Sequence, residues 1–344
     1  MKIGIVFGGI SYEHEISIVS AIAMKDVLKE ELVYIFCDEN RDFYHIPTNI
    51  IKSKLFSSGE YKKCDLLNLK KGSFVKKGLL SEKSLDVDVY LNLSHGGDGE
   101  DALYSSMFEL YNLPYIGPRK GACSVSFNKF LTKGYAYSCG IKTIDYKYYT
   151  KGEKVEIEEF PVIIKPVTLG SSIGVSIVKS NEELEYALDV AFEFDDAVIV
   201  ESFISGIKEY NLAGCKINGE YNFSIIEEPQ KAEFLDFDKK YLDFARTSTA
   251  LKADISDELA SKIEESFKKI YNTTFEGALI RCDFFVIDDE VYLNEINPVP
   301  GSMANYLFED FNKTLVSLSS SLPKQKSIKI TYEYVNKIQS AKGK

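Results

Sequence analysis

Three observations predict an α/β section built on a mainly parallel sheet, followed by α+β units. Apolar, β-branched runs alternate with helical periodicity over the first hundred or so residues, the rhythm of βα units. From about Gly121 the character changes to short β runs, turns and only a few helices. At 344 residues the chain has room for two or three domains of about 150 residues each.

Residues 3–7 read as a strand buried on both faces, ended by Gly8-Gly9, and a helix follows through Ile16, Val19, Ala23 and Val27. Residues 87–93 form a second strand, SHGGDGED (94–101) a loop, 102–111 a helix and 113–118 a short returning strand. In such a sheet the ligand site lies beyond the carboxyl ends of the strands. A helix over 121–138 opens the next section, with strands at 145–149, 160–165, 175–178 and 197–201. Ser180 and Glu183 have capping-box spacing at the start of a helix that ends near Phe194. Strands at 210–217 and 221–226, an irregular charged stretch at 227–250, a helix at 257–272 and paired strands at 278–287 and 291–296 complete the pattern. There is no internal repeat, and the tail after Pro323 is merely Lys-rich.

Lys and Arg total 41 against 52 Asp and Glu, a net charge of −11 that argues against nucleic-acid or anionic-membrane partners. Only Arg41, Arg119, Arg246 and Arg281 are arginines, so any anionic small molecule needs locally concentrated cations. The start lacks a signal-peptide pattern and no window approaches about 18 uninterrupted apolar residues, which makes a soluble, cytoplasmic protein the expectation. Six cysteines without CxxC or Cys/His zinc spacing predict reduced thiols, and the scattered His14, His45 and His95 exclude HExxH chemistry.

The first turn lacks G-x-G-x-x-G, which argues against a dinucleotide site, yet it places Ser11, Glu13, His14 and Glu15 at a strand-to-helix junction. Those residues serve either to cap the helix or to line a ligand crevice. The loop with His95, Asp98, Glu100 and Asp101 is either a solvated turn or, beside the first, one wall of a pocket for an ammonium group. KPVTLGSSIG (165–174) joins two strand-like runs, unlike a Walker A loop. Its small residues expose backbone N–H groups to phosphate, with Lys165 on the preceding strand and Lys129 as a second cation. Glu201, Phe203 and Ile204 lie where a strand ends, and Glu209 follows; they fit a hinge gripping adenine and ribose, or simply a core strand with surface glutamates. Arg281 and Asp283 share one strand face, as do Glu295 and Asn297. If the strands are antiparallel neighbours, three oxygen ligands suited to Mg2+ or Mn2+ meet one guanidinium.

KPxxxGSSxG, R-x-D and N-E-I-N-P together resemble the ATP-grasp superfamily, and FGGxSxEHEIS with SHGGDGED resembles its D-alanine-D-alanine ligase branch. The match runs in family order from residue 1 to about 312. The resemblance implies a three-domain ATP-grasp architecture: an N-terminal Rossmann-like domain (1–118), a central subdomain (119–204) and a C-terminal subdomain (205–344) with a mobile loop at 227–250. It implies that ATP phosphorylates a first D-alanine, that a second displaces phosphate, and that the dipeptide serves peptidoglycan. Glu13 would hold the first ammonium, connected to Ser171 and Tyr241. Lys129, Lys165 and Lys240 would contact phosphates, and Glu201, Phe203, Ile204 and Glu209 the adenosine. Asp283, Glu295 and Asn297 would bind two Mg2+ or Mn2+ ions, while Arg281 and the Gly301 N–H would stabilise the acyl phosphate and oxyanion. A homodimer is also implied. Tyr241 favours an amine as second nucleophile; relatives joining D-alanine to D-serine or D-lactate are the alternative. The chain departs from the family pattern at Ala102, where glycine is common, at Asn128, where aspartate is frequent, and after Gly301, where Ser302 and Tyr306 stand.

Overall fold

The computed structural model describes residues 1–78, 81–229, 251–324 and 327–342. Strands β1 (Lys2–Gly8), β2 (Glu31–Cys37), β3 (Phe43–Ile46), β4 (Asp65–Lys70), β5 (Ser73–Lys77), β6 (Glu82–Ser84), β7 (Val89–Asn92) and β8 (Tyr115–Ile116) form one sheet, ordered β6-β5-β4-β3-β2-β1-β7-β8. Its centre, β2-β1-β7-β8, is parallel as the βα rhythm predicts. The sheet is nevertheless mixed, because β3 to β6 add antiparallel strands on one side. These short, partly exposed strands lack the continuous apolar run of a strand covered on both faces. β1 ends where Gly8 has φ +91° and a Cβ would stand 2.2 Å from the Cys37 carbonyl oxygen, so only glycine fits.

Helices α1 (His14–Val27), α2 (Ser53–Ser57), α3 (Gly97–Glu100) and α4 (Leu103–Leu110) accompany this sheet. The single helix expected over 121–138 is two, α5 (Lys120–Phe127) and α6 (Lys129–Ser138). Asn128 breaks it: its backbone is extended (φ −104°, ψ 112°), and its side chain caps α6 by accepting from the Leu131 N–H at 3.0 Å.

The middle sheet is antiparallel, with β9 (Tyr146–Thr150), β10 (Val162–Pro166), β11 (Ser176–Val178) and β12 (Ala197–Ser202) in the order β11-β10-β12-β9 and α7 (Asn181–Phe192) packed on it. The capping box is displaced by one residue, since Glu183 accepts from the N–H of Lys179 and Ser180 makes no side-chain cap. β13 (Lys208–Ile217), β14 (Glu220–Glu227), β15 (Ile280–Ile287) and β16 (Glu290–Asn297) form the last sheet, β14-β13-β15-β16, with α8 (Asp257–Tyr271) burying Ile263, Phe267 and Ile270. Helices α9 (Phe311–Ser319) and α10 (Glu333–Lys342) end the chain. One apolar cluster runs from Ile3, Ile5 and Phe7 through Val299, Met303 and Leu307 to Leu315, so the segment after β16 shares a core with the first sheet. This shared core joins the first and last sheets, while the middle sheet packs its own apolar residues against α7.

Candidate active site

At the carboxyl ends of β1 and β7 two loops meet. The acids of SHGGDGED divide the work: Asp98 accepts from the Ile10 N–H (3.0 Å) and both arms of the Arg41 fork (3.0 and 2.9 Å), tying the loops together. Asp101 caps the Leu103 N–H at 2.8 Å. Glu100 is buried near Glu13, and burial first, then the Glu13 charge, holds its carboxyl well above the ordinary range. Glu13 stands at the N-cap of α1 but makes no side-chain cap; the neighbouring Ser11 hydroxyl takes the Glu13 N–H instead. The Glu13 carboxylate instead accepts a hydrogen bond from Ser171 Oγ, across from the KPVTLGSSIG loop. Burial raises its pKa, and the Glu295 charge adds to the effect.

The loop is shaped by left-handed backbone at Leu169, Ser171 and Ser172. Lys129 anchors it by donating to the Thr168 carbonyl at 3.2 Å and to that of Leu169, and burial pushes its ammonium down to about 8. Lys165 lies 2.6 Å from one oxygen of Glu201, whose other oxygen is 2.6 Å from Lys133. Phe203 and Ile204 sit between β12 and β13, the strand-to-strand link between two sheets, and Glu209 is on β13.

β15 and β16 are antiparallel neighbours, with Arg281 opposite Asn297 and Asp283 opposite Glu295. The register slips at Asn294, a bulge that lets Leu293 and Ile296 both enter the core while Glu295 and Asn297 face the cleft. Arg281 grips Asp283 in a two-pronged pair at 2.7 and 2.8 Å, and the Asn297 amide donates to Asp283 at 3.0 Å. Even so, burial together with the Glu295 and Glu209 charges pushes Asp283 up to about 7. Asn211, opposite Asp283 on β13, is buried with its Oδ1 unpartnered, a residue that sequence reasoning misses although it is the polar side chain inside the buried run of that strand. Oxygen donors, a strained carboxylate and an orphaned amide oxygen fit a hard divalent cation. Among the described residues no group of three or more His, Cys, Asp or Glu is disposed to hold a metal, so amide oxygens would have to complete such a site.

A small cavity lined by Glu100, Lys129, Gly170, Glu295 and Asn297 brings the three sheets' loops together. Gly301 opens a tight turn in which Ser302, Met303 and Ala304 are left-handed, held to the first section by Ser302 N–H on Ser20 Oγ (3.3 Å). Lys240 and Tyr241 lie outside the described residues. Among the described residues on either side, Ala253 N–H donates to the Ile226 carbonyl at 2.8 Å.

Residues 2–118 match the family model "D-ala D-ala ligase N-terminus", and residues 138–314 match "D-ala D-ala ligase C-terminus". The D-alanine--D-alanine ligase of Wolinella succinogenes is 60% identical over 345 residues, covering 100% of both chains. The crystal structure of the D-alanine-D-alanine ligase from Helicobacter pylori aligns with TM-score 0.85 and 48% identity over 95% of this chain and 100% of that one. The VanG D-Ala:D-Ser ligase of Enterococcus faecalis shares the fold (TM-score 0.72), at 23% identity over 92% of this chain and 99% of its own.

Proposed function

Because this chain belongs to the D-alanine-D-alanine ligase family, and so joins two D-alanines while converting ATP to ADP, we propose a division of labour among the residues of its cleft. The observation that carries it is the meeting of Glu13, joined to Ser171, with Lys129 and Glu295 around one opening. Carboxylates there suit an ammonium, and lysines beside a small-residue loop suit phosphates.

Glu13 holds the ammonium of the first D-alanine, and Ser171 with Tyr241 closes the site over it. Lys129, Lys165 and Lys240 align the triphosphate, while the hinge backbone at Glu201 with Phe203 and Ile204 holds adenine and Glu209 holds ribose. The first D-alanine's carboxylate then attacks the γ-phosphorus and ADP leaves. The amine of the second D-alanine attacks the acyl phosphate carbonyl, phosphate departs and the peptide bond forms. Arg281 and the Gly301 N–H stabilise the negative charge that develops on oxygen in both steps. Asp283, Glu295 and Asn297 would hold two Mg2+ or Mn2+ ions, which when bound neutralise phosphate charge. The working form we infer is a cytoplasmic homodimer supplying the dipeptide to peptidoglycan; among the described residues no helix is long and apolar enough to cross a membrane.

Purified protein with ATP, Mg2+ and D-alanine should release ADP and phosphate and yield D-alanyl-D-alanine. Absence of D-alanine-dependent ADP release would overturn the reading. Offering D-alanine, D-serine and D-lactate together tests the second site, and the dipeptide of D-alanine should dominate.

A further inference from the structure

Lys133, on α6, has no part in the roles above, yet its side chain is only 5% exposed. Its ammonium lies 2.6 Å from Glu201 Oε1, donates to the Ile144 carbonyl at 2.9 Å and sits 5.0 Å over the Tyr146 ring. Glu201 Oε2 is 2.6 Å from Lys165, and the carboxylate itself is 5% exposed. One buried carboxylate is therefore shared by two ammonium groups, a trio of net charge +1. We propose that Lys133 is a positioning residue for nucleotide binding, which by claiming one oxygen of Glu201 leaves the Lys165 charge only partly neutralised and correctly placed for the phosphates. This rests on the reading of Lys165 as a phosphate contact.

Without Lys133, Glu201 would pair with Lys165 alone. The pair would be neutral, both carboxylate oxygens would draw on one ammonium, and the positive charge offered to the triphosphate would vanish. A purely structural Lys133, fastening α6 to the segment before β9 through Ile144, would instead disturb the whole nucleotide pocket regardless of phosphate charge.

The full-length enzyme distinguishes these, using ADP and adenosine as competitive inhibitors against ATP. Lys133→Met should weaken ADP inhibition and raise KM for ATP about tenfold. Adenosine inhibition and KM for D-alanine should stay within about twofold, and Lys133→Arg should restore ADP binding. If Lys133→Met does not fold, Lys133→Gln removes the charge while keeping a donor to the Ile144 carbonyl, and the same outcome is expected. Equal weakening of adenosine and ADP, or unchanged ADP inhibition, would overturn the proposal. Lys165→Met separates the premise from the inference: should it leave KM for ATP unchanged, the phosphate role falls and the proposal with it. Should it raise KM while the Lys133 variants do not, only the proposal falls.

Discussion

His95 couples the loop that carries Gly301 to the first sheet, and its protonation should cost stability in mildly acidic solution. The Val299 carbonyl can only accept, so Nδ1 bears the hydrogen in their 2.9 Å bond, and Nε2 accepts from Ser20 Oγ at 2.9 Å. Ser20 Oγ in turn accepts from Ser302 N–H. Burial pushes the imidazole down from 6.5 to about 4, so the folded chain resists a proton that the unfolded chain takes up readily. The contribution is therefore complete above pH 6.5 and lost as pH falls toward 4. At about 1.4 kcal/mol for each pH unit, full protonation costs roughly 3 kcal/mol, and about 2 kcal/mol is gone by pH 5. Glu100, 3.9 Å from Nδ1, has a raised pKa and works in the opposite sense, so wild type must be compared with His95→Gln, which keeps the carboxyl. Urea unfolding at pH 8 and pH 5 should show the stability advantage of wild type over His95→Gln shrinking by about 2 kcal/mol at the lower pH. An advantage of the same size at both pH values would refute the reasoning.

Three further substitutions probe the site and its frame. Glu295→Gln should lower kcat by about 100-fold or more. Because the Glu295 charge disfavours ionised Glu13, Glu100 and Asp283 but favours the cations Lys129 and Arg281, the effects oppose and the variant should unfold close to the wild-type urea concentration; loss of both activity and stability would mark Glu295 as merely structural. Ala102 holds a left-handed conformation (φ 87°), so Ala102→Gly should stabilise by about 0.5–1 kcal/mol, the relief of strain outweighing the added chain entropy, and a lower melting temperature would contradict this. Asn128→Ala removes the α6 cap and should cost about 1 kcal/mol in thermal or urea unfolding; a neutral result would mean that solvent replaces the cap.

Motifs whose chemistry is local were legible in the sequence, and arrangements made by distant partners were not. Arg281 and Asp283, two apart on a strand, had to share a face, and their pairing follows from charge alone. The opposition of Asp283 and Glu295 needed only that β15 and β16 be neighbours. The bulge at Asn294 could not be read, because nothing in the residue type distinguishes an extra residue in a strand from a regular one. Asp98 looked equivalent to Glu100 and Asp101 until Arg41, brought near by the β2–β3 turn, was seen to claim it. Glu201 reads as an adenosine contact or a surface glutamate; the surface reading fails, because its carboxylate is buried between Lys133 on α6 and Lys165 on β10, a pairing of distant residues. The break at Asn128 sits inside an otherwise continuous helical pattern, where a capping side chain decides against propagation.

The distribution of charge explains how so acidic a chain is suited to bind ATP. Arg41 is committed to Asp98, and Arg281 is held in place by Asp283, so these arginines are fixed at defined points rather than spread as a diffuse positive surface. The described lysines beside the small-residue loop are likewise held at defined points, Lys129 on loop carbonyls and Lys165 on half of a carboxylate. Opposite them the carboxyls of Glu13 and Glu100 are held above the ordinary range, by burial first and then by neighbouring glutamate charges that Lys129 offsets in part. On the proposed reading, an amino acid's ammonium entering there would relieve repulsion already present among these carboxylates. The same repulsion disfavours an anion in that half of the cleft. If Glu13 and the lysines have the roles proposed, phosphate is directed to the lysine side and ammonium to the glutamate side, which sets the amino acid's carboxylate toward phosphorus.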